Sequence, residues 1–275
     1  MPDALIQSFW VSIIAGLVLL LFPPSINWLY GRLTRGRPTD RVNNLTVAAL
    51  SWLILNAVYI WIWPRYSALF VFISSVTMAF VARSELNQFW RIGLVGADAH
   101  IGSGLNFSRS LRLATNSLDF LGIGASKLSR ETEEFEAALH RCQRADRPVR
   151  LLLCRPDNAK LLSMAQSAGR DPADYQKRVG ASLRLIAEMH NSRSWNIDVR
   201  FYQDIPIFRL MFINDEICLA SHYVLGKGTG SELPQLQVLK RSASRDVDSL
   251  YYAFHSYFER FWSEAAPWDF KEYLQ

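Results

Sequence analysis

Four polar residues lie within or at the ends of two neighbouring apolar segments in the second half of the chain. The side chains of these four residues are of types that bind anions. Arg209 and Asn214 belong to one predicted strand and its end, and Ser221 and His222 end the next strand. A guanidinium can donate two parallel hydrogen bonds to phosphate oxygens, and amides and hydroxyls add further donors. Two roles stay open for Arg209, ligand contact or an internal ion pair. For His222 the alternatives are ligand contact or a solvated loop position.

Further candidate ligand-binding residues lie close in sequence to glycines. Ser126 and Lys127 follow Gly122 and Gly124, which end a short apolar strand. Ligands of open α/β sheets bind outside the carboxyl ends of the strands, so this pair is expected at such an edge. Lys227 lies in a glycine-rich stretch that lacks the spacing and the following helix of a phosphate loop. A flexible loop is expected there, with phosphate contact as the alternative.

The other reactive residue types form no recognisable site. The histidines are scattered, the three cysteines share no ligand spacing, and no nucleophile motif stands out. We therefore expect no metal and no cofactor. The net charge is +5, and much of the excess lies beside apolar segments, where basic residues set membrane orientation. Nucleic-acid binding is not expected.

Three apolar segments, residues 8–30, 45–63 and 66–82, are nearly free of charge. The first two approach the roughly 20 residues that a membrane-spanning helix needs, and the third is at the short end of the range. These segments predict a transmembrane helical bundle over residues 1–83, in which full crossing by the third segment stays open.

The loops between the segments predict the orientation. The first loop carries Arg32, Arg35, Arg37 and Arg41, whereas the second carries only Arg65. The positive-inside rule places the arginine-rich loop in the cytoplasm. Three crossings then put the N-terminus outside the inner membrane and the rest of the chain in the cytoplasm.

Small and polar residues within the segments are candidates for helix assembly. Ser12 and Gly16, and likewise Ser75 and Ala79, have the four-residue spacing that lets helices approach closely. Asn56 is an amide in an apolar helix and should seek a hydrogen-bond partner on another helix. Packing within one bundle and packing between subunits both remain open.

Residues 84–106 are predicted to be a juxtamembrane connector, and residues 107–275 a cytoplasmic domain. Strand and helix patterns alternate in this domain and end in a β-meander, with a hairpin turn predicted at residues 214–216. The order predicts an α/β fold with a mixed sheet between helices.

Three stretches of this domain, together with the order of its elements, resemble the phospholipase D superfamily over about residues 92–264. They are residues 118–126 (LDFLGIGAS), 147–158 (RPVRLLLCRPDN) and 206–222 (PIFRLMFINDEICLASH). The family carries a His-x-Lys-x4-Asp signature on a strand that runs into a hairpin.

The signature positions are changed in this chain. They hold Ile207, Arg209 and Asn214, and isoleucine has no lone pair with which to form a phospho-histidine intermediate. The resemblance therefore implies a phosphate-binding fold without hydrolysis and without a catalytic residue. The residues implied to bind the ligand are Ser126, Lys127, Arg209, Asn214, Ser221, His222 and Lys227.

The leading hypothesis is a membrane-anchored sensor and effector. Its domain would bind a small phosphorylated or cyclic nucleotide and control homo-oligomeric assembly of the helices, an architecture similar to bacterial anti-phage membrane effectors. The alternatives are a membrane-bound phosphodiesterase or phospholipase with another nucleophile, such as His222 or His190, and a protein-docking scaffold.

Overall fold

The computed structural model describes residues 41–64, 67–102, 104–167, 169–222, 233–241 and 249–271. The chain divides into two compact units between Gln88 and Phe89, and each unit is described by itself. The first apolar segment, with Ser12 and Gly16, lies outside the described residues.

Two helices form a hairpin in the first unit, α1 (Arg41–Ile62) and α2 (Ser67–Arg91), and the last three residues of α2 belong to the second unit. Polar side chains join them: Trp52 donates from Nε1 to Ser74 Oγ at 3.1 Å, and Ser74 Oγ lies 3.0 Å from Asn56 Oδ1. The rings of Tyr59 and Phe70 stack with their centroids 3.8 Å apart. These contacts hold the two helices side by side.

The candidate assembly residues in this hairpin have local partners. Asn56 is buried and also donates to the Trp52 carbonyl at 2.7 Å, so its amide is used within the hairpin. Ser75 donates to the Val71 carbonyl of its own helix at 2.6 Å. Ala79 is exposed. These contacts correspond to the predicted alternative of packing within one chain.

Large apolar side chains cover the outside of the hairpin. Trp61 is 85% exposed and Phe80 is 74% exposed, and many neighbours are similarly open. In the part of the chain that the structure describes, no helix is both long enough and apolar enough to cross a membrane.

The second unit has the predicted mixed α/β class, with an eight-stranded sheet among its described residues. The strands are β1 (Leu94–Asp98), β2 (Leu118–Leu121), β3 (Val149–Cys154), β4 (Ile197–Tyr202), β5 (Phe208–Ile213), β6 (Ile217–His222), β7 (Gln235–Leu239) and β8 (Ala266–Pro267). The helices are α3 (Phe107–Leu113), α4 (Ser126–Arg130), α5 (Thr132–Arg144), α6 (Ala159–Ser167), α7 (Pro172–Arg193) and α8 (Leu250–Glu264).

The strand order is β1-β7-β6-β5-β2-β3-β4-β8. Strands β2, β3 and β4 are parallel, and β5 joins β2 in the antiparallel direction to begin the meander β5-β6-β7. The carboxyl ends of β2, β3 and β4 therefore share one edge of the sheet with the beginning of β5. We call this the carboxyl edge.

Helices cover both faces of the sheet. Phe107, the first residue of α3, packs edge-on against Phe120 of β2 on one face. On the other face, Phe258 of α8 packs against Phe212 of β5. Side chains alternate between the two faces along each strand, so these contacts assign every position of β2 and β5 to a face. We call them the α3 face and the α8 face.

One boundary prediction needs correction. Residues 84–106 do not form a simple connector, because α2 continues to Arg91 and β1 then pairs with β7 at the edge of the sheet. Helix α7 begins after Asp171, whose side chain accepts a hydrogen bond from the backbone of Ala173, and Pro172 is its first residue.

Candidate anion-binding site

Arg209 and Ser221 face each other across β5 and β6 at the carboxyl edge. Their backbones are register partners, and Arg209 donates from Nη2 to Ser221 Oγ at 3.0 Å. Arg209 is only 8% exposed and Ser221 only 4%. The two expected ligand contacts thus form a buried, hydrogen-bonded pair.

The α3 face surrounds this arginine with an aromatic ring and polar groups. The guanidinium carbon lies 5.3 Å from the centre of the Phe107 ring. A gap beside it, lined also by Leu105, Ser110 and Gln235, has room for roughly one water molecule. The guanidinium therefore lies beneath a cover formed at the start of α3.

Lys127 adds a second positive charge to the same edge. Burial lowers the pKa of Lys127 below its ordinary value, and the nearby charges of Arg130 and Arg209 lower the pKa further. The negative charge of Glu131 acts in the opposite direction but does not cancel them. The charges of Lys127 and Arg209 therefore repel each other at this edge of the sheet.

Tight packing after β2 brings α4 to this edge. Gly122 donates its backbone N–H to the Leu152 carbonyl at 3.0 Å. A side-chain carbon at Gly124 would lie only 3.3 Å from Val179 of α7, so glycine permits this close approach. Ser126 and Lys127 begin α4 directly afterwards and are half-buried.

Asn214 lies at the opposite end of β5, which corrects the expectation that it lines the same site. It is five residues from Arg209, roughly 16 Å along an extended strand. Its Oδ1 accepts hydrogen bonds from the backbones of Thr115 at 2.8 Å and Asn116 at 2.9 Å. Its Nδ2 donates to the Leu113 carbonyl at 2.8 Å.

These contacts give Asn214 a different role. It has a positive φ of 58° in the β5–β6 turn, a conformation that asparagine tolerates better than most residues. Its side chain braces the loop that follows α3. The residue is therefore positioned to stabilise the turn rather than to contact a ligand at the carboxyl edge.

His222 also lies apart from Arg209, on the other face of the sheet. Its register partner is Phe208, and the two rings meet edge-on with centroids 6.1 Å apart. Because neighbouring residues of a strand point to opposite faces, His222 joins the α8 face while Ser221 joins the α3 face. The histidine is exposed at the end of β6. Lys227 lies outside the described residues.

Ile207, which the resemblance aligned with a nucleophilic histidine, is an exposed aliphatic side chain. Ile207 is 55% exposed, and its backbone N–H donates to the Tyr257 hydroxyl at 3.0 Å. His190, the other nucleophile considered, contacts the Trp195 carbonyl at 3.0 Å before β4 begins, away from the carboxyl edge. Among the described residues, no group of histidines, cysteines and carboxylates could hold a metal ion.

A polar network that the sequence pattern did not reveal supports the start of α3. Asp98 of β1 accepts hydrogen bonds from Gln237 Nε2 at 2.9 Å and from the Leu105 backbone at 3.2 Å. Burial acts to raise the pKa of Asp98, but hydrogen bonds from Gln237, Leu105 and Gln235 outweigh it and lower the pKa. Only long-range pairing of β1 with β7 brings these residues together, so no local signal could have found them.

A second arginine in the sheet has a different environment, on the α8 face. Arg150 of β3 donates to both carboxylate oxygens of Asp119, at 2.8 and 2.5 Å, and to Glu259 of α8 at 2.8 Å. The rings of Phe258 and Trp262 lie 5.0 and 5.2 Å from its guanidinium carbon. Burial raises the pKa of Asp119, and the hydrogen bonds from Arg150 oppose that effect.

No protein-family model matches this chain, and no curated protein matches it in sequence. Solved structures that are similar to part of it include the following two. Nuc from Salmonella typhimurium, a phospholipase D family member, is 10% identical with a TM-score of 0.34, and the match covers 58% of this chain and 87% of Nuc. Phosphatidylserine synthase from Haemophilus influenzae Rd KW20 is 9% identical with a TM-score of 0.45, and the match covers 64% of this chain and 40% of the synthase.

Proposed function

We propose that the α/β domain binds a small phosphate-bearing molecule, a nucleotide or cyclic nucleotide, at the carboxyl edge. The single observation that carries this proposal is the pairing of the Arg209 guanidinium with the Ser221 hydroxyl at 3.0 Å on this edge, where the charge of Arg209 also lowers the pKa of Lys127. Holding like charges close together costs free energy, which a bound anion would recover. We call Lys127, Arg209 and Ser221 the anion site.

The chemistry of the anion site favours recognition over hydrolysis. Arg209 and Ser221 can donate hydrogen bonds to phosphate oxygens, and Lys127 supplies a compact positive charge. Ile207, at the nucleophile position of the resembled signature, cannot attack phosphorus. The domain then acts as a binding module whose ligand is released unchanged.

The helical hairpin is proposed to place this module at the bacterial inner membrane, on the cytoplasmic side. From residue 49 onward, α1 contacts α2 through a narrow stripe of side chains. This stripe includes Trp52, Asn56 and Tyr59. Its remaining surface is largely apolar and exposed. A helix that is apolar on all sides is suited to an apolar environment, which lipid supplies.

Ligand binding is proposed to control how the helices assemble, with membrane disruption in anti-phage defence as the outcome. A ligand shifts such an equilibrium only by its difference in affinity for the two states, and a decisive switch needs about 5 kcal/mol. Release of dye from vesicles that contain the full chain, measured with and without nucleotide, tests this step. Leakage that does not respond to any nucleotide would reject it.

Binding itself is tested by isothermal titration of the full-length protein with inorganic phosphate and with cyclic mono- and dinucleotides. Saturable binding is expected for the wild type and for Arg184→Ala, a control that removes an exposed arginine from α7. Arg209→Ala should lose binding while the α/β domain still unfolds in a cooperative thermal transition. If no compound binds, or if both variants bind equally well, the anion site is wrong.

One observation favours a second candidate, a phosphodiesterase. His222 is exposed beside Ser221 at the carboxyl edge and is a possible nucleophile, although it lies on the other face. Turnover of bis(p-nitrophenyl) phosphate by purified protein, abolished in His222→Ala, would establish this activity. Turnover that survives in His222→Ala would point to a contaminating enzyme.

A further inference from the structure

An exposed surface with aromatic and basic side chains lies where α2 ends and β1 begins. Its exposed residues are Phe89, Trp90, Arg91, Ile92 and Lys240, and the half-buried Arg241 borders them; we call these six residues the Trp90 surface. All six residues belong to the second unit. Trp90 is 52% exposed although it is one of the largest apolar side chains of the chain.

The backbone around the Trp90 surface is held firmly by neighbouring elements. Leu239 of β7 donates to the Gly93 carbonyl at 2.8 Å, and Leu250 of α8 donates to the Ile92 carbonyl at 3.0 Å. Gly93 has a φ of 84°, and an added side-chain carbon would lie 2.5 Å from the Leu239 carbonyl oxygen. Glycine therefore allows α2 to turn directly into β1 at this point.

Side-chain contacts fix the aromatic groups in place. The guanidinium carbon of Arg241 lies 3.7 Å from the centre of the Trp90 ring, a close cation–π stack. Lys240 Nζ lies 5.8 Å from the ring of Tyr252. An exposed tryptophan held by an arginine presents a rigid apolar surface beside positive charge.

We propose that the Trp90 surface binds the headgroup layer of an anionic phospholipid membrane. Tryptophan favours the boundary between lipid tails and water, and Arg91 and Lys240 match the negative charge of the headgroups. Lys240 donates its backbone N–H to the Glu216 carbonyl at 2.7 Å, which holds this lysine in place at the end of β7. Continuity with α2, whose outer side chains are apolar, makes lipid the matching partner.

This inference rests on the proposed membrane association, and one experiment separates the two. Full-length protein is incorporated into nanodiscs of phosphatidylcholine alone or mixed with phosphatidylglycerol, and hydrogen exchange is measured for residues 89–95 and 236–241. Exchange is expected to be on the order of tenfold slower in the anionic discs, because each cation near the headgroups contributes about 1 kcal/mol. The difference should shrink at high salt.

The variant Arg91→Gln/Lys240→Gln should abolish the difference, whereas Lys177→Gln/Arg184→Gln, which removes two exposed cations from α7, should retain it. Equal exchange in both lipids would overturn the headgroup assignment while leaving membrane association intact. Protection in neutral discs that rises with the number of copies per disc would overturn it in favour of a second copy. Failure of the chain to enter any disc would overturn membrane association and this inference together.

Discussion

Arg150 and Arg209 are both largely buried in the same sheet, but their surroundings differ in charge. Arg150 lies among two carboxylates and two aromatic rings on the α8 face. Arg209 lies on the α3 face, where it donates to a neutral serine and repels Lys127. The first arrangement pairs the guanidinium with carboxylates, whereas the second places it beside a hydroxyl and within electrostatic reach of a lysine. This contrast separates a stabilising arginine from one suited to recognition.

The largest expected effect is on stability, at Arg150. Arg150→Ala should lower the free energy of unfolding by about 3–5 kcal/mol, because the nearly buried Asp119 loses its charged partner. Chemical denaturation measures this loss. Arg178→Ala, which breaks an exposed ion pair on α7, is the matched control and should change stability by less than about 1 kcal/mol. Equal losses of unfolding free energy in Arg150→Ala and Arg178→Ala would show that Arg150 stabilises the domain no more than an exposed arginine does.

Arg209→Ala should have the opposite profile, a large loss of binding with a smaller loss of stability. Loss of a charge-assisted hydrogen bond to phosphate should weaken binding at least tenfold, measured by titration, since such bonds contribute about 1.5–3 kcal/mol. The free energy of unfolding of Arg209→Ala should be about 1–2 kcal/mol lower than that of the wild type. Arg209→Lys should recover only part of the affinity, because lysine lacks the planar fork. Full recovery would show that charge alone is recognised.

Lys127→Met should weaken ligand binding several-fold without reducing stability. The folded-state pKa of Lys127 is below its unfolded value, so the unfolded state holds the proton more tightly and the charged lysine disfavours folding at pH 7. Thermal unfolding checks this sign, and a lower melting temperature in the variant would contradict it.

Binding should also depend on pH through Lys127. Affinity for a cyclic nucleotide should fall as the pH rises through the pKa of Lys127, because the lysine then loses its positive charge. This pKa lies below the ordinary value of 10.5. Arg209→Ala should raise that pKa by removing a like charge, as followed by NMR of the lysine side chain. An unchanged pKa in Arg209→Ala would mean that the two charges do not interact.

The smallest effect is expected at Glu259. Its side chain is 40% exposed and supplies the second carboxylate to Arg150. Glu259→Gln should therefore cost less than about 1 kcal/mol of unfolding free energy, because Asp119 still pairs with the guanidinium. A loss as large as that of Arg150→Ala would show that the three charges act as one unit.

Local sequence patterns already implied some features of the site. The pairing of Arg209 with Ser221 follows from the short turn after Ile213, which sets the register of β5 and β6. The same alternation separates Ser221 from His222, and the length of β5 separates Arg209 from Asn214. The expectation that these four line one site overlooked both consequences of strand geometry.

The sequence by itself determined the α/β class, the hairpin turn at residues 214–216, the start of α7 and the changed residue at position 207, because each depends on nearby residues. Tertiary structure alone decided that Lys127 approaches Arg209, that Phe107 covers the guanidinium, and that β1 joins β7. These contacts link residues about 80 to 140 positions apart. Their geometry depends on how the whole sheet and its helices pack, which periodicity within a segment does not encode.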